Sequence, residues 1–162
     1  MTPTNVFKQT MEITRQVSAG YLGDMSDADL LTRPVTQANH IAWQLGHLIS
    51  AEREMLTALG HQMPELPSGF AEAHGNETAQ SDDPGKFASK DEYLALMDKM
   101  RTATLAALEA TPEADFEKPA PEPMRSYAPT VAAAWVIIGI HELMHAGQWA
   151  VVRRKLGKPV LF

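Results

Sequence analysis

The sequence predicts an all-α fold, a four-helix bundle in up-down-down-up order, on three observations. Four segments carry apolar residues at helical spacing between recognisable start and stop signals. No segment alternates apolar and polar residues between hairpin turns, as a half-buried strand would. A long connection rich in proline and glycine separates the second helix from the third.

The first helix is expected from about Thr4 to Leu22. Phe7, Met11, Thr14, Ser18 and Tyr21 recur on one face, and Gly20 and Gly23 mark its end. Ser26-Asp27-Ala28-Asp29 has capping-box form and starts a single turn that Arg33-Pro34 stops. Asn39 is placed to cap the second helix, His40 to about Leu59, with Gly60 closing it. The connection from His61 to Ala88 then holds Pro64, Pro67, Gly69, Gly75, Pro84 and Gly85. It exceeds the ~12–15 residues usual for structureless loops, so either it is disordered or it spans the bundle. A crossover between two parallel helices must travel about 30 Å for a ~20-residue helix. The up-down-down-up order takes that second option. Ser89-Lys90-Asp91-Glu92 is a full capping box opening the third helix, which ends near Thr111-Pro112. Pro129 stands where the fourth should begin, and Gly157 and Pro159 end it after about Leu156.

The fourth helix is apolar almost all the way round. One side carries Ala134, Ile138, His141, His145, Gln148 and Val152; the opposite side has the small Ala132, Gly139, Ala146 and Ala150. A helix without a broad polar face is buried on most sides. Two arrangements satisfy this: a central place in its own bundle, or a small-residue face meeting another subunit in a homodimer.

Composition narrows the function. The 162 residues are expected to form one domain, with 44% hydrophobic and 21% charged residues, ordinary for a globular protein. A net charge of −6 argues against nucleic acid or an anionic membrane surface as the main partner. No stretch approaches the ~20 apolar residues of a membrane span. The N-terminus has no basic n-region or apolar h-region, so a cytoplasmic protein is expected. Cysteine is absent. Any metal must therefore rest on His, Asp or Glu, and any thiol chemistry must borrow its thiol.

The chemistry concentrates in His141-Glu142-Leu143-Met144-His145. Residues i and i+4 of a helix lie on one face, so both imidazoles can converge on one ion. As written this is the zincin signature, with the glutamate as general base. A zincin usually takes its third ligand downstream, yet Ala146 to Phe162 contains no His, Asp, Glu or Cys. A third ligand must come from upstream, among His40, His47, His61 and His74. His61 and His74 fall in the long connection, where a lone histidine is expected to be solvated. His47 lies in mid-helix, on the flank of the stripe Ile41, Leu45, Leu48, Glu52 and Met55, with His40 about two turns before it. Periodicity permits His47 to face a pocket and does not require it.

Larger blocks carry a family resemblance. They are Asp29-Leu30-Leu31-Thr32-Arg33-Pro34, Asn39-His40-Ile41-Ala42-Trp43-Gln44-Leu45-Gly46-His47-Leu48, and His141-Glu142-Leu143-Met144-His145-Ala146-Gly147-Gln148. Arg153-Arg154 and Gly157-Lys158-Pro159 follow. In this order they resemble the DinB-like (YfiT-like) family of metal-dependent enzymes over nearly the whole chain. The resemblance implies an up-down-down-up bundle, often dimeric, with a divalent metal on three histidines. Carried over by position, these are His47, His141 and His145.

Three neutral histidines leave coordination positions open for a bound water or ligand. Zinc or nickel is the first expectation, and iron and manganese also suit such a site. Glu142 is a candidate proton acceptor or partner of an imidazole, against a structural ion pair. Gln148 is a candidate for orienting a ligand, against satisfying a buried neighbour. Trp43 is expected to pack in the core. Arg125, Tyr127 and Arg153-Arg154 are candidates for an anionic substrate, against a surface role. Among families of this shape, one class transfers or isomerises small electrophiles with a low-molecular-weight thiol as cosubstrate. That thiol-dependent transferase is the first functional expectation, with the 61–88 connection covering the pocket. A metal-dependent hydrolase of a small molecule and a non-catalytic metal- or ligand-binding bundle are the alternatives. The absent downstream ligand predicts that the protein is no protease. Incubation with an unfolded protein substrate should give no metal-dependent cleavage; cleavage abolished by Glu142→Gln would contradict this.

Overall fold

The described residues hold six α-helices: α1 (Pro3–Leu22), α2 (Asp27–Leu30), α3 (Ile41–Ala58), α5 (Lys90–Ala110) and α6 (Val131–Lys155) near the expected places, and the unexpected α4 (Phe70–Ala73) inside the long connection. The computed structural model describes residues 1–159 and 161. Among these residues there is no strand, only an isolated bridge between Pro119 and Thr130. No helix is long and apolar enough to cross a membrane.

Both expected capping boxes are present. Ser26 and Ser89 each accept a backbone N–H three residues on, and Asp29 and Glu92 reach back to the cap N–H. Two helix starts differ from expectation. His40, not Asn39, caps α3: its Nδ1 accepts the Trp43 N–H at 3.0 Å. α6 begins at Val131 with Thr130 as its cap, two residues after the expected start at Pro129, whose carbonyl is engaged in extended pairing with the Ala120 N–H. Gly60 and Gly157 take positive φ of 92° and 70° just past α3 and α6. In each case the two N–H groups past the helix return to its last turn, the Schellman closure that glycine allows without strain.

α6 packs most extensively on α1, and α3 packs on both α5 and α6. The pairings run in a definite order. The Thr14 hydroxyl donates to the Gly139 carbonyl at 2.9 Å, and Arg153 Nη1 donates to the Tyr21 carbonyl at 2.7 Å. Positions along α1 and α6 thus rise together. Along α3 and α6 they run opposite, with Gln44 beside Trp149 and His47 beside His141. A Cβ at Gly139 would stand 3.3 Å from Thr10, so the small-residue face is what lets α1 approach. That face is spent inside the chain, with Gly139 and Ala146 buried.

Two apolar clusters result. One surrounds Leu22, Leu45, Tyr93 and Trp149; the other surrounds Met11, Leu56, Leu108 and Trp135. Polar positions on every long helix fall between them: Thr14 and Arg15, His47 and Glu52, Arg101 and Thr104, His141 and His145.

The 61–88 crossover is docked, not loose. Arg33 donates to the carbonyls of Ala38, Ala79 and Ser81 and pairs with Asp82. His74, expected in solvent, is buried at 4% exposure. Its Nδ1 meets the Phe70 carbonyl and its Nε2 the Tyr93 hydroxyl, both at 2.7 Å. The reason is local: Phe70 and His74 stand one turn apart across α4, so the segment presents two rings to the core. Gly46 makes room for them, since a Cβ there would lie 2.0 Å from the His74 ring. Gly46→Ala must expel that ring, and overpacking of this kind costs about 1–3 kcal/mol. Chemical denaturation should show the loss; wild-type stability would mean that His74 moves freely.

Candidate metal centre

His141 and His145 stand one turn apart on α6, their ring centroids 5.0 Å apart. His47 of α3 completes the group, 5.4 Å from the His141 ring and 5.5 Å from that of His145. One ligand atom from each of the three lies within 4.8 Å of the others. The antiparallel pairing of α3 and α6 brings them together. All three are half-buried.

Burial holds the rings neutral. It pushes His141 and His145 down to about 4, with repulsion from the neighbouring histidines adding to the effect. Burial also lowers His47, opposed by the charge of Glu54. Neutral imidazoles are the form that donates a lone pair to a metal.

Hydrogen bonding separates two of these rings, His47 and His141, from the other histidines. His40 caps α3 and bonds the Ser81 carbonyl, His74 has two partners, and His61 meets Thr111 at 3.4 Å. Among the described residues, the rings of His47 and His141 have no hydrogen-bond partner. Neither ring's nitrogens are among the buried atoms left without a partner, so their lone pairs stay open to solvent and to an incoming ion. The donor set therefore fits a divalent ion such as zinc or nickel.

Gln44, which the motif reading passed over, sets the third ring. Its Nε2 donates to the Asn39 carbonyl at 2.7 Å, an acceptor that fixes which way the amide points. Its Oε1 then accepts from Trp149 Nε1 at 2.8 Å and faces His145 Nδ1 at 3.0 Å. Facing an acceptor, Nδ1 must carry the proton, which leaves Nε2 as the ligand atom. Spacing offered a signal: Gln44 precedes His47 by one turn, and Trp149 follows His145 by one turn. Trp43 does more than fill the core. It stacks on His47 with an interplanar angle of 6° and donates from Nε1 to the Gly75 carbonyl at 3.1 Å.

The remaining candidates fall elsewhere. Glu142 is buried beside Arg101, at 3.1 Å, with Arg15 at 4.0 Å. Arg101 also reaches Glu52, whose carboxyl burial pushes up while Arg101 and the Thr104 hydroxyl pull it back. Gln148 is exposed and accepts from Gln44 Nε2 at 3.2 Å, so it touches His145 only through Gln44. Arg153 is buried against Asp24, and Arg125 is bound to Glu122 and the Ala120 carbonyl. Neither is free for an anionic substrate. Tyr127 lines a cleft of about 490 Å³ that ends at His141. Its far wall includes Pro123 and Met124, from the α5–α6 connection. Among the described residues none of the 61–88 segment lines it, contrary to expectation; that segment meets the centre through the Gly75 bond to Trp43 and through His74 packed at Gly46.

The profile of the DinB superfamily matches residues 10–149. The chain belongs to the DinB superfamily. All three histidines lie within the matched span of this DinB superfamily protein. No curated protein sequence matches it. Its fold is similar to the crystal structure of a conserved protein from Enterococcus faecalis, with a TM-score of 0.76. Identity is 18%, over 98% of this chain and 99% of that one. At that identity the likeness concerns the fold alone.

Gln44→Leu removes the acceptor while leaving all three histidines. Loss of such a partner typically costs a metal site about 10–100-fold in affinity. Competition with a chelator should show that drop for zinc or nickel; unchanged affinity would show that the amide does not orient His145.

Proposed function

We propose that this chain is a cytoplasmic metal-dependent enzyme, one DinB-like domain that binds a divalent ion on His47, His141 and His145. The observation that carries the reading is the partnerless state of His47 and His141, beside three other histidines that all have partners. The order of the helix pairings supports an up-down-down-up four-helix bundle. A homodimer is supported by Val136, Leu143 and Val151, apolar and exposed along one side of α6.

The favoured reaction is transfer of a low-molecular-weight thiol to a small electrophile. A divalent ion, when bound, supplies positive charge that lowers the pKa of a thiol or water brought to it. The chain holds no cysteine, so the thiol arrives as a cosubstrate. Gln44 holds His145 in one tautomer, and Trp43 holds His47 by stacking. Glu142 and Gln148 act through their neighbours, Glu142 by fixing α6 against Arg101 and Gln148 by steadying Gln44. The apolar cleft at His141 gives the electrophile a binding wall and limits water there. Hydrolysis of a small ester or amide is the second reading, and a metal-binding bundle without turnover is the third.

Protein purified without a His-tag or added metal should carry stoichiometric ion, and each of His47→Ala, His141→Ala and His145→Ala should lose most of it. Undiminished metal in His47→Ala would remove that residue from the set. Holo-protein given a panel of cellular thiols with an epoxide or haloarene should consume thiol faster than the apo form. Equal rates for holo and apo protein would sink the transferase. Ester turnover without thiol would assign the hydrolase.

A further inference from the structure

The cleft at His141 also carries information about what enters it. Met55 of α3, Ile137 and Met144 of α6, and Met124 of the α5–α6 connection line it. Its volume of about 490 Å³ suits a small molecule. Three methionines give the wall an adaptable apolar surface. No lysine or arginine lines it, and its acid is Glu54.

Glu54 sits two turns beyond His47 on α3, about 10 Å along the axis at ~1.5 Å per residue. It is exposed, and no ion pair or hydrogen bond among the described residues engages it. Tyr127 lines the same cleft and is half exposed. A carboxylate and an aromatic ring on the rim of an apolar groove are groups that attract an ammonium ion. They disfavour a carboxylate or phosphate, which would meet a like charge with no compensating cation.

We propose that this cleft is the substrate pocket and that it selects an apolar molecule bearing a protonated amine. Glu54 and Tyr127 take the amine, and the apolar body lies along Met55, Ile137 and Met144 with its reactive end at His141. The inference rests on the proposed enzyme for its reaction, but not for its binding preference, which belongs to the cleft itself. Glu54 is a specificity residue in this arrangement, not a catalytic one.

The test uses the full chain, metal-loaded and metal-free, with two probes of one skeleton: 4-phenylbutylamine and 4-phenylbutyrate. Calorimetric titration should show saturable binding of the amine, at least about tenfold tighter than the acid, a difference of ~1.4 kcal/mol. Glu54→Gln should erase the preference and Glu54→Lys reverse it. Both changes are at an exposed position, and metal content is read beside binding because the Glu54 charge reaches His47. Filling the groove with Ala58→Phe should weaken both probes. Equal affinity for the two probes, no saturable binding of the amine, or a preference that survives Glu54→Gln each overturns the inference. Metal content read on the same samples separates the two ideas. Bound metal without amine preference leaves the proposed centre standing, whereas amine preference in protein that cannot be loaded with metal overturns the centre and not the pocket.

Discussion

One guanidinium holds the middle of the molecule together. Arg101 of α5 lies within 3.1 Å of Glu142 on α6 and 3.5 Å of Glu52 on α3, with little of any of the three side chains exposed. Arg15 of α1 approaches Glu142 from the fourth long helix and pairs with Asp98 of α5. Arg101 thus links α3, α5 and α6 at one level, and rotating or sliding any of these helices would pull a buried carboxylate away from its guanidinium. Breaking a buried pair from one side costs about 3–5 kcal/mol, far more than an exposed pair contributes. The cluster is therefore better understood as fixing helix register than as adding net stability.

That register aims the histidines. Glu142 follows His141 directly and precedes His145 by three residues, so its pairing with Arg101 turns His141 and His145 toward α3. The apolar clusters above and below would tolerate small rotations, since hydrophobic burial has no direction. The charged level does not. A metal centre needs ligand atoms held within a few tenths of an ångström, and directional bonds in a dry interior supply this.

A second layer of polar contacts refines the aim. Gln44 is satisfied on every side, by the Asn39 carbonyl, Gln148, Trp149 and His145. Its four partners come from the start of α3 and from α6, so the amide ties the helix entry to the ligand ring. Trp43 does the same for His47, linking the crossover to the centre through Gly75. The crossover thus shapes the site without lining the cleft. Its own packing on Gly46 through His74 follows from the same constraint, because a segment crossing a helix at close range needs a residue without a Cβ.

The sequence by itself determined the four long helices and the candidate metal-binding residue type. Ser26, Ser89, Gly60 and Gly157 act on backbone groups within a few residues, so their effect is local and legible. The i,i+4 pair His141 and His145 was legible for the same reason, as was the absence of any ligand after it. Family likeness, not periodicity, pointed to His47, because a residue on the flank of an apolar stripe faces in or out according to what packs against it. Only the tertiary structure decided that His40 serves a cap, that His74 is buried, and that Glu142 answers to Arg101 instead of an imidazole. It also decided that the small face of α6 meets α1 of the same chain. Beyond the local His40–Trp43 cap and the Phe70–His74 pair, these depend on partners 19 to 132 residues away, whose approach is set by packing and charge pairing across helices.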